Sequence, residues 1–218
     1  KLPPPVFVAS TEGMQQVALD STFSVHVDAA GSFAFVAPRS GFDHFMVDTV
    51  SRNGFTLFTF TKSFPVVSTS ADMLPPMRYI TSLQEWERIT TSPDPRKELE
   101  RFWTDAAGSR DRAREAIDAF YSRVESANRH FTSWTEGWRT DRGLVHIIFG
   151  TPNTIHRTPA MESWTYGEET NLMSLTFVFE KRDGAFSDND MVLRRDPMFK
   201  SAWYRNVESW RNGRVFQN

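Results

Sequence analysis

Residues 134–152, "WTEGWRTDRGLVHIIFGTP", decide how the second half of the chain is read. Two tryptophans and a Thr-Asp-Arg-Gly corner lead into an almost unbroken apolar run, Leu144 to Phe149. A short run rich in Val, Ile and Phe predicts a buried strand, and Gly150-Thr151-Pro152-Asn153 predicts the turn that ends it. The corner formed by Trp138, Thr140, Asp141, Arg142 and Gly143 then turns a helix into that strand. Gly143 is expected to hold a backbone conformation closed to other residues, and Trp138 to fill the helix–sheet core.

On the N-terminal side the helical signals are strong. Ser109 precedes Ala113, Ile117, Phe120, Val124, Ala127 and Phe131 at three- and four-residue steps, an amphipathic helix with its cap. Asp94-Pro95 predicts a cap followed by proline at the first helical position, with Leu99, Phe102 and Trp103 inside. Ser82 and Glu85 form a capping box. On the C-terminal side, residues 162–166 and 173–180 alternate as strands, Asp183-Gly184 breaks the chain, and Met191 to Leu193 adds an edge strand. A last helix follows Pro197, with Phe199, Trp203, Val207 and Trp210 on one stripe and Gly213 as its stop.

Residues 1–70 read as β. "FSVHVDAAGSFAFVA" alternates around a Gly31 turn, and "FDHFMVDTV" and "GFTLFTFTKSFPVV" carry apolar residues on both faces. Asn53-Gly54 predicts a two-residue hairpin turn between the last two. The 19 Phe and 7 Trp of the 218 residues favour sheet and thick packing layers. The expected class is α+β: an N-terminal β-sandwich-like domain (1–70), with strands missing upstream, an ordered linker (71–81), and an α+β domain (82–218). That domain packs helices on a small antiparallel sheet and closes with a C-terminal helix.

A net charge of −2 argues against a nucleic-acid-coating protein. No segment has the apolar length to span a bilayer as a helix. Cysteine is absent, which removes disulfides, thiolate metal sites and Cys nucleophiles without fixing the compartment. The chain opens at Lys1 with neither Met nor a signal peptide, so a processed product or part of a longer protein is expected, with room for a lipid anchor upstream.

"EGWRTDRGLVHIIFGTP" at residues 136–152 resembles the signature of the GWxTD-domain family of bacterial envelope proteins, typical of Bacteroidetes. "FWTDAAGSRDRAREAIDAFYSRVESANRHFTSWTEGW" is similar to the family's Phe-Trp opening and the helix that follows it. "ESWTYG", "LTFVFEKRDG" and "WYRNVESWRNGRV" resemble its later strands and terminal helix, and "MRYITSLQEWERI" the segment before the domain. The resemblance covers roughly residues 77–215. The family's Gly-Pro-Pro-Asp is here Gly150-Thr151-Pro152-Asn153. The resemblance implies a β domain in front and a setting, export with lipid anchoring, more than a chemistry.

Two readings of the corner stand side by side. In one, Asp141 is a general base with Glu136 or Glu162 as second carboxylate, Arg142 or Arg157 binds an anionic group, and Trp138 stacks on a sugar. In the other, Asp141 accepts backbone N–H groups or pairs with an arginine, and the corner is structural. Adjacent Asp and Arg side chains point apart, which favours the second. His26, His44, His130, His146 and His156 lack metal-ligand spacing, and a site from His130, His146 and Glu162 requires the fold to bring them together. No nucleophile motif is present. Arg205, Arg211 and Arg214 suggest an interaction surface, or simply a basic helix face with its tryptophans inward. The expectation is a non-enzymatic exported protein without cofactor or metal, at the periplasm or outer-membrane surface, binding other envelope proteins. A glycan-binding or hydrolytic enzyme is the alternative.

Overall fold

A computed structural model of the chain describes residues 2–9, 20–37, 39–48, 50, 53–168, 171, 173–182 and 186–214. The helical signals are realised as read. Ser82 and Glu85 exchange both bonds of a capping box at the start of α2 (Leu83–Thr91). Asp94 caps α3 (Pro95–Ala107), which ends on Gly108 in the left-handed conformation at φ 70°. Ser109 caps α4 (Arg110–Phe131), whose buried stripe includes Ala113, Phe120, Val124, Ala127 and Phe131. Before them lie α1 (Ser70–Met73) and a 3-10 turn over Pro75–Tyr79, which buries Pro76, Met77 and Tyr79.

The apolar run is where expectation and structure part. Residues 144–149 are not a strand: they belong to α5 (Asp141–Phe149), and every one of its nine residues is buried. A helix surrounded by protein has no side turned to water, and over Leu144–Phe149 only His146 interrupts the apolar residues, so this run mimics an interior strand. Its exposed-carbonyl end is closed by neighbours, with Trp210 Nε1 donating to Ile148 O at 3.3 Å and Arg123 Nη1 to Ile147 O at 3.2 Å.

The sheet begins later. β3 (Thr154–Arg157), β4 (Met161–Tyr166), β5 (Leu175–Lys181) and β6 (Met191–Leu193) form an antiparallel sheet in that order. The expected break at Asp183-Gly184 lies outside the described residues. Trp164 pairs with Phe177 across β4 and β5, and both are buried with Phe179. Phe177 meets Phe149 of α5 at 4.8 Å and Phe199 at 4.5 Å, while Trp164 meets Phe131 of α4 at 5.2 Å. Burying each such ring is worth about 2–3 kcal/mol. The last helix, α6 (Lys200–Arg211), adds Trp203 and Trp210 to this core. Residues 2–8 also lie on it: Val6 is fully buried, and its carbonyl accepts from Asp196 N at 3.3 Å.

The N-terminal β region forms a two-stranded antiparallel sheet, β1 (Gly41–Met46) and β2 (Gly54–Thr59). Gly54 is the first residue of β2, opposite Met46, so residues 47–53 connect the strands instead of a two-residue Asn53-Gly54 turn. Gly54 is required there by a close approach, since a Cβ would lie 1.8 Å from the Phe45 carbonyl oxygen. Residues 20–37 turn at Asp28–Ser32, whose backbones exchange a 2.9 Å bond, but they add no strand to the sheet. Their Phe23, Phe33 and Phe35 pack on Phe45 at 6.2, 5.2 and 5.1 Å. The opposite face of the hairpin meets Phe186, 5.1 Å from Phe42. The fold is therefore mixed α+β, with a two-stranded and a four-stranded antiparallel sheet. No described helix is long and apolar enough to cross a membrane.

Candidate functional site

The corner between α4 and α5 is built from two close backbone approaches. A Cβ on Gly137 would lie 1.9 Å from the Ala127 carbonyl oxygen, and one on Gly143 would lie 1.9 Å from that of Gly137. The 3-10 turn Gly137–Arg139 is thus wedged between the two helices. Gly143 is helical, so the expectation of a special backbone conformation is corrected: proximity, not φ, demands glycine here. Side chains fix the wedge. Thr132 Oγ1 accepts from Gly137 N at 3.0 Å and Asn128 Oδ1 from Trp138 N at 3.2 Å. Tyr79 Oη donates to Trp138 O at 2.9 Å, and the two rings meet edge-on at 6.0 Å. Thr140 caps α5, accepting from Gly143 N at 3.1 Å and donating to Gly137 O at 2.8 Å.

Asp141 and Arg142 diverge from this corner. Asp141 is buried, and Leu193 N donates to its Oδ2 at 2.7 Å. The Arg195 guanidinium reaches both its oxygens, at 3.1 and 2.5 Å. Arg195 also donates to Pro4 O at 3.2 Å, tying the N-terminal segment to the corner. Glu136, one candidate second carboxylate, accepts from Thr135 at 2.9 Å and pairs with Arg139 at 3.2 Å. A general base needs a lone pair facing substrate, and those of Asp141 are directed at Arg195 and Leu193.

Arg142 points the other way, into a cleft of about 660 Å³ between the ends of α4 and α5 and strands β3 and β4. Its Nη1 donates to Glu162 Oε2 at 3.1 Å, and its Nη2 bonds Asn189, whose carbonyl oxygen lies at 2.9 Å. Asn189 in turn donates to Thr132 O at 2.7 Å, closing the loop back to α4. Trp164 Nε1 donates to Glu162 Oε1 at 2.6 Å, and Arg157 Nη2 reaches the same oxygen at 3.3 Å. Arg142 also lies 5.2 Å from the centre of the Phe131 ring. Burial lowers the Arg142 pKa from its ordinary value, and the Glu162 carboxylate opposes the shift.

His130, His146 and Glu162, a set that depended on the fold to meet, all line this cleft. They do not form a metal centre: no group of three His, Cys, Asp or Glu among the described residues is placed to hold an ion. His146 is buried, and its Nε2 has no hydrogen-bond partner. Burial, followed by the positive charge of Arg123, pushes its pKa down to about 4. An imidazole that resists protonation when folded but titrates near 6.5 when unfolded makes the unfolded chain bind more protons in between. Stability from this residue is complete above pH 6.5 and is lost as pH falls towards 4, a difference of roughly 3 kcal/mol. Urea unfolding at pH 7 and pH 4 is expected to show this loss, and His146→Leu to remove it from the profile.

The C-terminal arginines separate. Arg205 and Arg214 are exposed. Arg211 does not belong to a free surface, because it grips Glu85 of α2 through two bonds of 2.7 and 2.9 Å and donates to Ile80 O at 3.0 Å. The hydrogen bonds from Arg211 hold the Glu85 pKa at about 2. Arg211→Ala is expected to destabilise the fold by about 1–2 kcal/mol at neutral pH in chemical denaturation, and Arg205→Ala by less than about 0.5.

Sequence reasoning missed Asn128, Trp164, Asn189 and Arg195 as parts of these networks. Asn189 and Arg195 lie 47 and 54 residues from the residues they bond, whereas Asn128 and Trp164 stand only 10 and 2 residues from theirs and read as helix and strand positions without a partner. Arg157 and Glu162, by contrast, were legible as chemistry, though not as a shared wall.

The family model for the GWxTD domain matches residues 41–212. Neither the curated proteins nor the solved structures compared with the chain gave a match. The matched span contains the wedged Gly137-Trp138-Arg139-Thr140-Asp141 corner and every strand of both sheets, and by this match the chain belongs to the GWxTD-domain family.

Proposed function

We propose that the protein is a non-enzymatic, exported cell-envelope protein that serves as a scaffold or partner-binding module in an outer-membrane-associated assembly. The observation that carries this is the aromatic face of the N-terminal β region. Phe23 and Phe55 remain 54% and 49% exposed although they belong to a five-phenylalanine cluster, and Phe33 and Leu57 beside them are also exposed. A cluster of that size left facing water marks an interaction site rather than a finished core. In this proposal the hairpin and residues 20–37 make one layer of a β-sandwich, and a second β layer packs over the open face. The Gly137–Asp141 corner supports the module from within, because its hydrogen bonds run to neighbouring elements of the fold, to Asn128, Thr132, Tyr79, Leu193 and Arg195. The envelope setting and an upstream lipid anchor follow the family resemblance.

The test is recovery of tagged protein from outer-membrane extracts of the native host, beside a Phe23→Ser/Phe55→Ser variant of unchanged thermal stability. A defined envelope protein retained by the parent chain and lost by the variant is expected. Recovery of the parent chain with no stable partner, or retention of the same partner by the variant, counts against the proposal.

A further inference from the structure

We infer that the cleft beside Arg142 is a binding site for a small organic carboxylate with a compact apolar or ring-shaped body, gripped by Arg157. The inference is independent of the aromatic face on the N-terminal sheet.

Three features of the cleft carry it. The first is how its charges are distributed. Arg142, Arg157 and Lys181 face it, against Glu162 and Asp188, one positive charge in excess before the histidines are counted. The Glu162 side chain is only 6% exposed and its oxygens are occupied by Arg142 and Trp164 within the wall. Arg157 is different: its side chain is 65% exposed at the mouth, and a single 3.3 Å contact to Glu162 orients it. The remaining N–H donors of its planar fork match a carboxylate edge. Lys181 adds charge nearby, its bond to the solvent-exposed Asp188 being a 3.4 Å surface pair of little strength.

The second feature is the wall. Ile155 and Met161 line the cleft and are exposed there, so apolar surface adjoins the cation. The third is His146, which also lines the cleft and whose Nε2 is unpartnered. That nitrogen is enclosed by protein, so the ring adds a flat wall for the body of the acid and not a contact to its carboxylate. A volume near 660 Å³ suits a ligand of a dozen or two heavy atoms and excludes a polymer from full burial. At the start of α5 the Gly143 N–H is already taken by its Thr140 cap, which leaves that helix end one donor fewer for a multiply charged phosphate.

Carboxylates of this kind come from acidic sugars and from peptide C-termini. Isothermal titration of the full chain at pH 7 and low salt separates them, using D-glucuronate and N-acetylphenylalanine as the acids. D-glucose, N-acetylphenylalaninamide and inorganic phosphate are the controls. At least one acid is expected to bind saturably with Kd on the order of 1 mM or tighter, at least about tenfold better than its neutral counterpart and than phosphate. Arg157→Ala should weaken it about tenfold or more, and Arg205→Ala should leave it unchanged. Glucuronate alone binding assigns the source to sugar acids, and N-acetylphenylalanine alone to peptide termini; either supports the site. Saturation by neither acid overturns the inference. Equal binding of the neutral analogues or of phosphate, or full affinity in Arg157→Ala, overturns it as well. Loss of the partner in the extract experiment would leave all of these outcomes unaffected.

Discussion

Asp141→Ala is expected to cost about 3–5 kcal/mol of folding stability, enough to leave a domain of ordinary stability largely unfolded. The carboxylate is buried and faces a guanidinium that is itself almost wholly buried, with side-chain exposures of 9% and 4%. Removing it leaves the Arg195 charge in a low-dielectric interior with no counter-ion, and strips the Leu193 N–H of its acceptor. The Arg195 Nε already has no partner, so the guanidinium has little left to hold it in place. The damage spreads to the N-terminal segment, because the same guanidinium binds Pro4 O. Asp141→Asn keeps the shape and one acceptor, and should lose less. The decisive measurement is a double-mutant cycle with Arg195→Met by urea unfolding. The pair of substitutions should be less damaging than Asp141→Ala alone, because an apolar pair carries no stranded charge. A purely catalytic Asp141 predicts the opposite, an alanine variant as stable as the parent. That result would restore the hydrolytic alternative.

How much of this was legible in the sequence depends on where each residue finds its partner. The helices over residues 83–131 were readable because their caps are local: Ser82 bonds Glu85, Asp94 bonds Lys97 N, and Ser109 bonds Arg112 N. Their apolar stripes were readable because one side of each helix faces water. Helix α5 satisfies neither condition. Buried all round, it presents Leu-Val-His-Ile-Ile-Phe without alternation, and strand-favouring residues fill it because they pack well, not because they pair. One local sign did exist, Thr140 in capping position ahead of the run, and it was outweighed by composition. The β region erred in the other direction. Its alternation was real, and the aromatic faces formed, but alternation specifies faces and not backbone ladders, so residues 20–37 pack on the hairpin without joining it. The corner's chemistry was half legible. That Asp141 and Arg142 part company follows from adjacency alone. Their partners, Arg195 and Glu162, stand 54 and 20 residues away, a separation that only the assembled fold closes.

Gly143→Ala should destabilise the protein by about 3–4 kcal/mol, against the sign that helix propensity dictates. In an open helix the same change is stabilising by about 1 kcal/mol, because alanine restricts the unfolded chain and favours helical backbone. Here the added methyl would sit 1.9 Å from the Gly137 carbonyl oxygen and 3.0 Å from the Trp138 Cα, both of them backbone atoms that no rotamer change can move. Relief requires the 3-10 turn to shift away from α5. That shift is blocked on its far side, where Gly137 already lies against α4 so closely that its own Cβ would be 1.9 Å from the Ala127 carbonyl oxygen. The turn is also pinned by Thr132, Asn128 and Tyr79. Gly137→Ala should therefore be as damaging as Gly143→Ala, and thermal unfolding of both variants beside Ser201→Ala, on the exposed face of α6, is the measurement. The α6 variant is expected within about 0.5 kcal/mol of the parent. A stabilised Gly143→Ala would mean that α5 and the turn are not in contact. If both corner variants lose stability as expected, the two glycines of the Gly-Trp-x-Thr-Asp-x-Gly run are spacers that set how closely α4, the turn and α5 stack. The Thr140 cap and the Asp141 pair then fix the order in which they do so.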